Sequence, residues 1–309
     1  MKYLLIYLLF VTSSFALSPT NCEHSPSSFS ESYVLKENSV SCQKISYFQS
    51  TIEDIASYFT EAPYVRLFIS TKSPNASFDF GETIRVPLQI SFPGKYGSIS
   101  YGDPSQTDYI LAHEYGHAIF AKLLSRNEFY SKVYSLDKEV SRLEFDINIG
   151  SSLNEDVDQR LTELRERKDS YNKVRKLLSD YSEFFSDVVA VYYSENKDSM
   201  FNALYYPEMS DQSYRLVLAR SFSDNYVDIT DRIYSEDHAS LVLVRQFVGE
   251  YLWPESTEDK AKFLKLIFNA IEMEVLDRLN REENRMSAKE MNESLIKRLK
   301  EMIKEDTSN

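Results

Sequence analysis

Strand-like patterns are confined to the first hundred residues. Residues 64–70 are rich in β-branched and aromatic side chains, and residues 84–92 alternate between apolar and polar positions. Pro87 interrupts the second pattern and predicts an edge strand or a bulge there, because proline cannot donate to a sheet ladder. A turn follows at Pro93 and Gly94, and residues 98–101 predict a further short edge strand. We therefore expect a small N-terminal β-sheet.

Helical periodicity dominates from about residue 105 to the C-terminus. Apolar side chains recur at helical spacing around residue 113, for example at Leu111 and Ala118, and again over residues 180–194. The same spacing predicts further helices over residues 46–62, 238–251, 259–280 and 287–304.

Two long, charged helices are predicted between the two apolar ones. They cover residues 127–148 and 153–178, and the break between them contains Gly150. Ser152 and Glu155 have the spacing of a capping box, in which both side chains bind free backbone amides at a helix start. We interpret residues 127–178 as an inserted helical hairpin, which offers a docking surface for a protein partner.

The fold class predicted from this order is α+β, with a small N-terminal sheet followed by a predominantly helical part. The composition is globular, since 42% of the 309 residues are hydrophobic and 27% are charged. Seven glycines and nine prolines are few for a turn-rich all-β protein. The net charge of -13 repels phosphate backbones, so we expect no nucleic-acid partner.

The N-terminus has the pattern of a secretory signal peptide. Lys2 precedes the apolar run from Tyr3 to Val11, and Ala16 completes a small-residue cleavage site. The apolar run is shorter than the roughly 20 residues that span a bilayer. We expect cleavage after Ala16, a secreted or periplasmic protein, and no stable membrane span once the signal is removed.

The mature chain then has a polar and helical N-terminal segment at residues 17–62 and one main domain at residues 63–309. Its two cysteines, Cys22 and Cys42, are an even pair in an exported protein, which predicts one disulfide. Two free thiols near a mobile N-terminus are the alternative.

His113-Glu114-Tyr115-Gly116-His117 matches the pattern H-E-x-x-H within a predicted helix. Histidines four residues apart lie on one helix face, so that both imidazoles can bind one zinc ion. Glu114 lies beside them and can take a proton from a water molecule. Position 123 is a leucine, which excludes the arrangement in which a third histidine follows six residues after His117.

A third ligand must therefore come from elsewhere, and Glu183 is the best candidate. Glu183 and Asp187 are one turn apart in an otherwise apolar helix, where buried acids need partners. Zinc for Glu183 and a histidine N–H for Asp187 would supply them. A solvent-facing acidic stripe is the alternative. His24, in the polar N-terminal stretch, is interpreted as a surface histidine.

H-E-x-x-H followed by E-x-x-S-D resembles the gluzincins, the thermolysin-like zinc metallopeptidases. The resemblance implies a zincin-like domain at residues 63–309 and an edge strand at Ser98–Tyr101 that aligns an extended peptide. It implies a base and proton shuttle at Glu114 and an orienting carboxylate at Asp187. The zinc ligands that it implies are His113, His117 and Glu183.

Gluzincins also place a histidine or tyrosine over the scissile carbonyl, where it stabilises the developing oxyanion. In this sequence His238 follows the second motif helix and suits that role, and Tyr234 is the second candidate. A histidine at a surface helix start is the alternative for His238. Arg245, two turns further on, would face the same way.

The sequence thus predicts a secreted zinc metallopeptidase that acts on a peptide or protein substrate. Two other hypotheses stay open. One is a non-catalytic zinc-containing scaffold in which residues 127–178 recruit a partner, and the other is a zinc hydrolase of a non-peptide amide.

Overall fold

The computed structural model describes residues 17–19, 28–35, 40–70, 75–93, 99–102, 104–149, 155–224, 230–280 and 286–308. The predicted signal peptide at residues 1–16, His24 and the cap residue Ser152 lie outside these ranges. Cys42 is disulfide-bonded. Its predicted partner Cys22 also lies outside the described residues, so that pairing stays a prediction.

A mixed β-sheet forms the N-terminal part of the described chain. Its strands lie in the order β1-β2-β3-β5-β4, with parallel pairing of β3 to β2 and β5 and antiparallel pairing at both edges. The strands are β1 (Leu17–Pro19), β2 (Ser30–Leu35), β3 (Val65–Ser70), β4 (Ser77–Phe78) and β5 (Thr83–Pro87). A separate antiparallel pair consists of β6 (Ser91–Pro93) and β7 (Ile99–Tyr101).

Helices make up most of the remaining described residues, so the predicted α+β class is confirmed. They are α1 (Cys42–Ala56), α2 (Pro104–Leu124), α3 (Glu128–Asn148), α4 (Glu155–Asp169), α5 (Asn172–Ser194), α6 (Ser199–Leu204), α7 (Asp211–Leu218), α8 (Asp231–Tyr234), α9 (Val242–Tyr251), α10 (Thr257–Asn280) and α11 (Ala288–Ser308). Within the described part of the chain, no helix combines the length and apolar character that crossing a membrane requires.

Alternation along β3 divides the sheet into two apolar faces. Leu67 and Ile69 point into the main core, where they share a cluster with side chains of α1, α2 and α5. Phe68 points the other way and packs with Tyr33 of β2 and Phe145 of α3. The sheet therefore lies between α3 on one side and the helices that carry the motif on the other.

One strand prediction was wrong and one is confirmed. Residues 84–92 are two strands, because Pro87 ends β5 and the chain bends before it resumes as β6. The short edge strand predicted at residues 98–101 is confirmed over residues 99–101 as β7, which pairs with β6 in a separate two-stranded sheet. The edge of the main sheet beside α2 is instead β4, a strand of two residues that the sequence pattern did not indicate.

The predicted helix boundary near residue 179 was also wrong. The break lies at Ser170 and Tyr171, and α5 continues through residue 179 without interruption. Ser179 and Asp180 do not end the helix because their side chains bind partners outside it. Ser179 donates to Asp237, and Asp180 accepts from Ser240. The first helix begins earlier than predicted, because Ser41 caps it by accepting from the backbone N–H of Lys44. It also ends earlier than predicted, at Ala56.

The two charged helices pack against each other through a small apolar cluster of Leu136, Val140, Leu161 and Leu164. An ion pair of 2.7 Å between Arg160 and Glu139 joins them at the surface. The helical hairpin predicted for this region is therefore α3 followed by α4, and the residues beyond Asp169 belong to the turn and to α5.

The helices α2 and α5 approach each other closely at Gly116. A Cβ atom on Gly116 would lie 2.7 Å from the Cα of Ser186, which is backbone and cannot swing away. Ser186 is itself fully buried. Glycine at this position therefore lets the two helices that carry the motif residues meet along their length.

We predict that Gly116→Ala lowers the free energy of unfolding by about 1–3 kcal/mol, because the added methyl group overpacks the interface. In a helix without such a contact the same change stabilises by roughly 1 kcal/mol. The sign of the change in unfolding free energy therefore shows whether the two helices meet closely at Gly116. Urea unfolding followed by circular dichroism measures it, with Lys122→Ala on the same helix as the control. A more stable Gly116→Ala protein would contradict the close approach.

Candidate metal centre

His113 and His117 lie one turn apart on α2 and point into the α2–α5 interface. Both are buried, and their rings are nearly perpendicular, with the two Nε2 atoms 3.0 Å apart. The spacing of four residues places both rings on one face, and the neighbouring α5 covers that face. The two nitrogens therefore converge on one point in the protein interior.

Glu183 brings a carboxylate to the same point from α5. Its Oε2 lies 3.3 Å from Nε2 of His113, and its Oε1 lies 3.4 Å from Nε2 of His117. Metal–ligand bonds of about 2.0–2.1 Å in tetrahedral geometry separate neighbouring ligand atoms by about 3.3 Å. The three side chains can thus hold a metal ion without rearrangement.

The outer nitrogens of both rings have hydrogen-bond partners. Nδ1 of His113 lies 2.9 Å from Oδ1 of Asp187, and Nδ1 of His117 lies 2.7 Å from the hydroxyl of Ser182. The nearer partner of Nδ1 in His113 is the Asp187 carboxylate, which only accepts, while Nη2 of Arg220 lies 3.3 Å from the same nitrogen. With the proton of the neutral ring on Nδ1, its Nε2 presents a lone pair. Oε2 of Glu183 is buried without a hydrogen bond. These convergent lone pairs fit a cation.

The pKa values of the two histidines shift in opposite directions. Burial lowers the pKa of His117 to about 3, so its ring is neutral and able to bind a metal. Burial also lowers the pKa of His113, but the adjacent carboxylates of Asp187 and Glu183 outweigh it and raise the pKa to about 9. Without a metal, His113 is therefore protonated, and its positive charge offsets part of the negative charge of the neighbouring carboxylates. A metal ion must displace that proton when it binds.

Asp187 is fully buried and is held by two arginines. Arg220 donates to both of its oxygens, at 3.2 Å from Nε and 2.5 Å from Nη2. Arg245 donates from Nε to Oδ2 at 2.9 Å, and its Nη2 lies 2.7 Å from the same oxygen. Burial raises the pKa of Asp187, but the two guanidinium groups and His113 hold it well below its usual range. The carboxylate thus stays charged and orients the His113 ring.

Glu114 lies beside this group and is also buried. Burial raises its pKa to about 7, although the nearby His113 acts to lower it. The backbone N–H of Phe78 in β4 hydrogen-bonds its carboxylate. An edge strand of the main sheet, β4, therefore borders the centre.

The structure places His238 at the centre and Tyr234 away from it. Nε2 of His238 lies 3.4 Å from Oε2 of Glu183, while its Nδ1 lies 3.0 Å from Glu236. The residue belongs to the turn before α9, so the predicted helix start at residue 238 was wrong. Tyr234 packs against an apolar cluster that includes Ile233. Arg245 does not face His238 as expected but binds Asp187.

A cavity of about 380 Å³ opens beside His117 and Glu183. Phe120, Tyr130 and Leu178 line it with apolar surface, and Phe80 is also part of the lining. Phe80 has a φ of 65°, in the left-handed region that a bulky residue rarely adopts. The turn between β4 and β5 holds it there, since Asp79 accepts from the backbone of Gly81.

Sequence reasoning missed Arg220, Ser182 and Phe80. A signal for Arg220 exists, since it follows the apolar run Leu216–Ala219, where a charge needs a partner. Ser182 and Phe80 have no comparable signal, because their roles arise from contacts with residues far away along the chain.

No family model, no curated protein and no solved structure matches this chain.

We predict that Asp187→Asn destabilises the metal-free protein by about 3–5 kcal/mol, because it leaves the buried Arg245 without its counter-ion and Arg220 with only the more distant Glu183, at 3.9 Å. Urea unfolding in the presence of a chelator measures this effect without the contribution of a bound metal. Asp277→Asn is the matched control, since Asp277 binds Arg298 at 2.5 Å but is about half exposed, and its loss should cost less than about 1 kcal/mol. Equal effects of the two variants would show that the buried arrangement does not contribute to stability as described.

Proposed function

We propose that this protein is a zinc metallopeptidase of the gluzincin type, which hydrolyses peptide bonds. The observation that carries the proposal is the convergence of His113, His117 and Glu183 within ligand distance, with the carboxylate of Glu114 beside them. Two carboxylates with different surroundings, one charged and one poised near neutral pH, are typical of sites that combine metal binding with proton transfer.

The donor set favours zinc. Two imidazole nitrogens and one carboxylate oxygen suit a borderline ion, and three protein ligands leave one position free, as in catalytic zinc sites. Closed structural sites have four protein ligands instead. The cavity beside His117 and Glu183 gives a substrate access to that free position.

A bound zinc ion would polarise the scissile carbonyl and lower the pKa of water. Glu114 accepts the proton of the attacking water, because burial raises the pKa of its carboxyl to about 7, close to the value at which a general base works best. It then returns the proton to the leaving amine. The hydrogen bond from Phe78 keeps the carboxylate in place between these two transfers.

His238 is the group that we assign to the developing oxyanion. It is half exposed, in contrast to the two buried histidines, so a substrate can reach its ring. Glu236 binds Nδ1 at 3.0 Å and fixes the ring with Nε2 towards the centre. Because the Glu236 carboxylate accepts from Nδ1–H, the imidazolium form of the ring is the one that also has an Nε2–H, which can donate to a carbonyl oxygen whose charge grows during attack.

The cavity indicates which part of a peptide lies next to the cleaved bond. Phe80, Phe120, Tyr130 and Leu178 give it apolar surface, charged side chains such as Arg175 and Asp237 also line it, and its volume can take one large apolar side chain. We therefore propose substrates with an apolar or aromatic residue adjacent to the scissile bond. The signal-peptide pattern of residues 1–16 supports action outside the cytoplasm.

We predict that Glu114→Gln retains zinc but hydrolyses peptides at least about 100-fold more slowly, since an amide cannot accept the proton. Zinc content by atomic emission and digestion of a peptide library, with and without chelator, measure both quantities. Glu128→Gln, at an exposed position of α3, is the control and should behave as the wild type. Normal turnover by Glu114→Gln would exclude Glu114 as the base, and a wild-type protein without chelator-sensitive hydrolysis would refute the peptidase proposal.

We predict that Glu183→Ala weakens zinc binding more than about 100-fold, because loss of a ligand should exceed the 10–100-fold cost of losing a group that only orients one. Competition with a chromogenic zinc chelator gives the affinity. Glu236→Ala, which touches His238 but none of the three candidate ligands, is the control. A zinc affinity that is unchanged in Glu183→Ala would remove Glu183 from the ligand set.

A further inference from the structure

A second cavity, of about 770 Å³, lies between the first half of α5, the end of α10 and the start of α11. Among the residues that the structure describes, Lys176 borders both this cavity and the one beside the metal centre. The side chains that matter for its chemistry are Lys173, Lys176, Asp180, Arg278, Met286 and Met291.

Arg278 is the unusual member of this lining. It is buried, with 7% of its surface exposed, and its Nη1 donates only to the hydroxyl of Tyr181 at 3.1 Å and to the sulfur of Met291 at 3.2 Å. Its Nε is buried without an acceptor. In the described part of the chain no carboxylate oxygen lies within 4.0 Å of this guanidinium group.

The acids near Arg278 are engaged elsewhere. Glu274 and Asp277, on the same helix, bind Arg298 of α11 at 3.2 Å and 2.5 Å. Asp180, the acid in the described lining, accepts from the hydroxyl of Ser240. Among the described residues, Arg278 therefore carries its charge in the interior with no carboxylate in direct contact, and Asp180 acts on it only from a greater distance, which leaves the burial costly. Its position in the last turn of α10 and the ring of Tyr181 offset only part of that cost.

The rim adds further positive charge. Lys173 and Lys176 are exposed on α5, so the described lining carries three cationic side chains against one carboxylate. This excess stands out in a chain whose net charge is -13. A concave site with one sign of charge concentrates ligands of the opposite sign.

We propose that this cavity binds a small oxyanion, whose negatively charged oxygens accept from the guanidinium of Arg278 and from Lys173 and Lys176. Phosphate and carboxylate groups share this chemistry, and both are recognised by arginine through charge-assisted hydrogen bonds. The proposal is independent of the metal chemistry, because none of its residues is a candidate metal ligand or proton carrier. Lys176 also borders the cavity beside His117, so the test measures anion binding and not peptide hydrolysis.

Isothermal titration calorimetry with inorganic phosphate, and separately with succinate, tests the proposal at constant ionic strength against chloride. The wild type should bind one or both saturably at one site per chain, and the preferred anion identifies the group. Lys173→Gln/Lys176→Gln should weaken binding at least about tenfold, since each lost charge-assisted hydrogen bond is worth more than a factor of ten. Arg278→Gln should abolish it.

Two controls separate this site from other sources of anion binding. Lys265→Gln/Lys297→Gln removes the same charge from exposed positions of α10 and α11 outside the cavity and should bind as the wild type. Glu183→Ala, which disrupts the metal centre, should also bind normally. If Arg278→Gln does not fold, the lysine variant decides. No saturable binding of either anion, or equal binding by the wild type and Lys173→Gln/Lys176→Gln, would overturn the proposal.

Discussion

The carboxylate of Asp187 is the group on which the arrangement of the centre depends. It is fully buried and binds Arg220, Arg245 and His113 at once. The three acids and two imidazoles that meet between α2 and α5 would be unstable there without compensating charge. Two guanidinium groups supply much of that compensation within the chain, so the side chains that converge on the metal position can be held in place before an ion arrives.

Different parts of the chain contribute different components of this centre. The rigid pair α2 and α5 carries the candidate ligands and Glu114, and Gly116 allows the two helices to meet at the required distance. Arg220 follows α7, and His238 lies in the turn before α9. The C-terminal segments thus provide the counter-charges and the accessible histidine, and the small sheet provides the Phe78 amide and the Phe80 wall. The helices therefore fix the positions of the candidate ligands, and the turns carry the side chains that a substrate can reach.

Much of the centre could be predicted because its residues are local in the sequence. The spacing of His113 and His117 places two rings on one helix face, and the acids Glu183 and Asp187 in an apolar helix require buried partners. The errors have a common cause. The boundary near residue 179, the single strand at residues 84–92 and the helix start at residue 238 were judged from polar or apolar runs. The observed element boundaries depend on other contacts. Asp237 and Ser240 bind the polar side chains at residues 179 and 180 within α5, and Pro87 ends the ladder of β5.

The sequence by itself determined the α+β class, the motif helix and the candidate donor set, since these follow from periodicity and from side-chain chemistry. Only the tertiary structure decided that β4 borders Glu114, that Arg220 and Arg245 share Asp187, and that no carboxylate of the described residues contacts Arg278. The physical reason is that a helical period describes which face a residue occupies, whereas ion pairing and burial depend on which distant segment packs against that face.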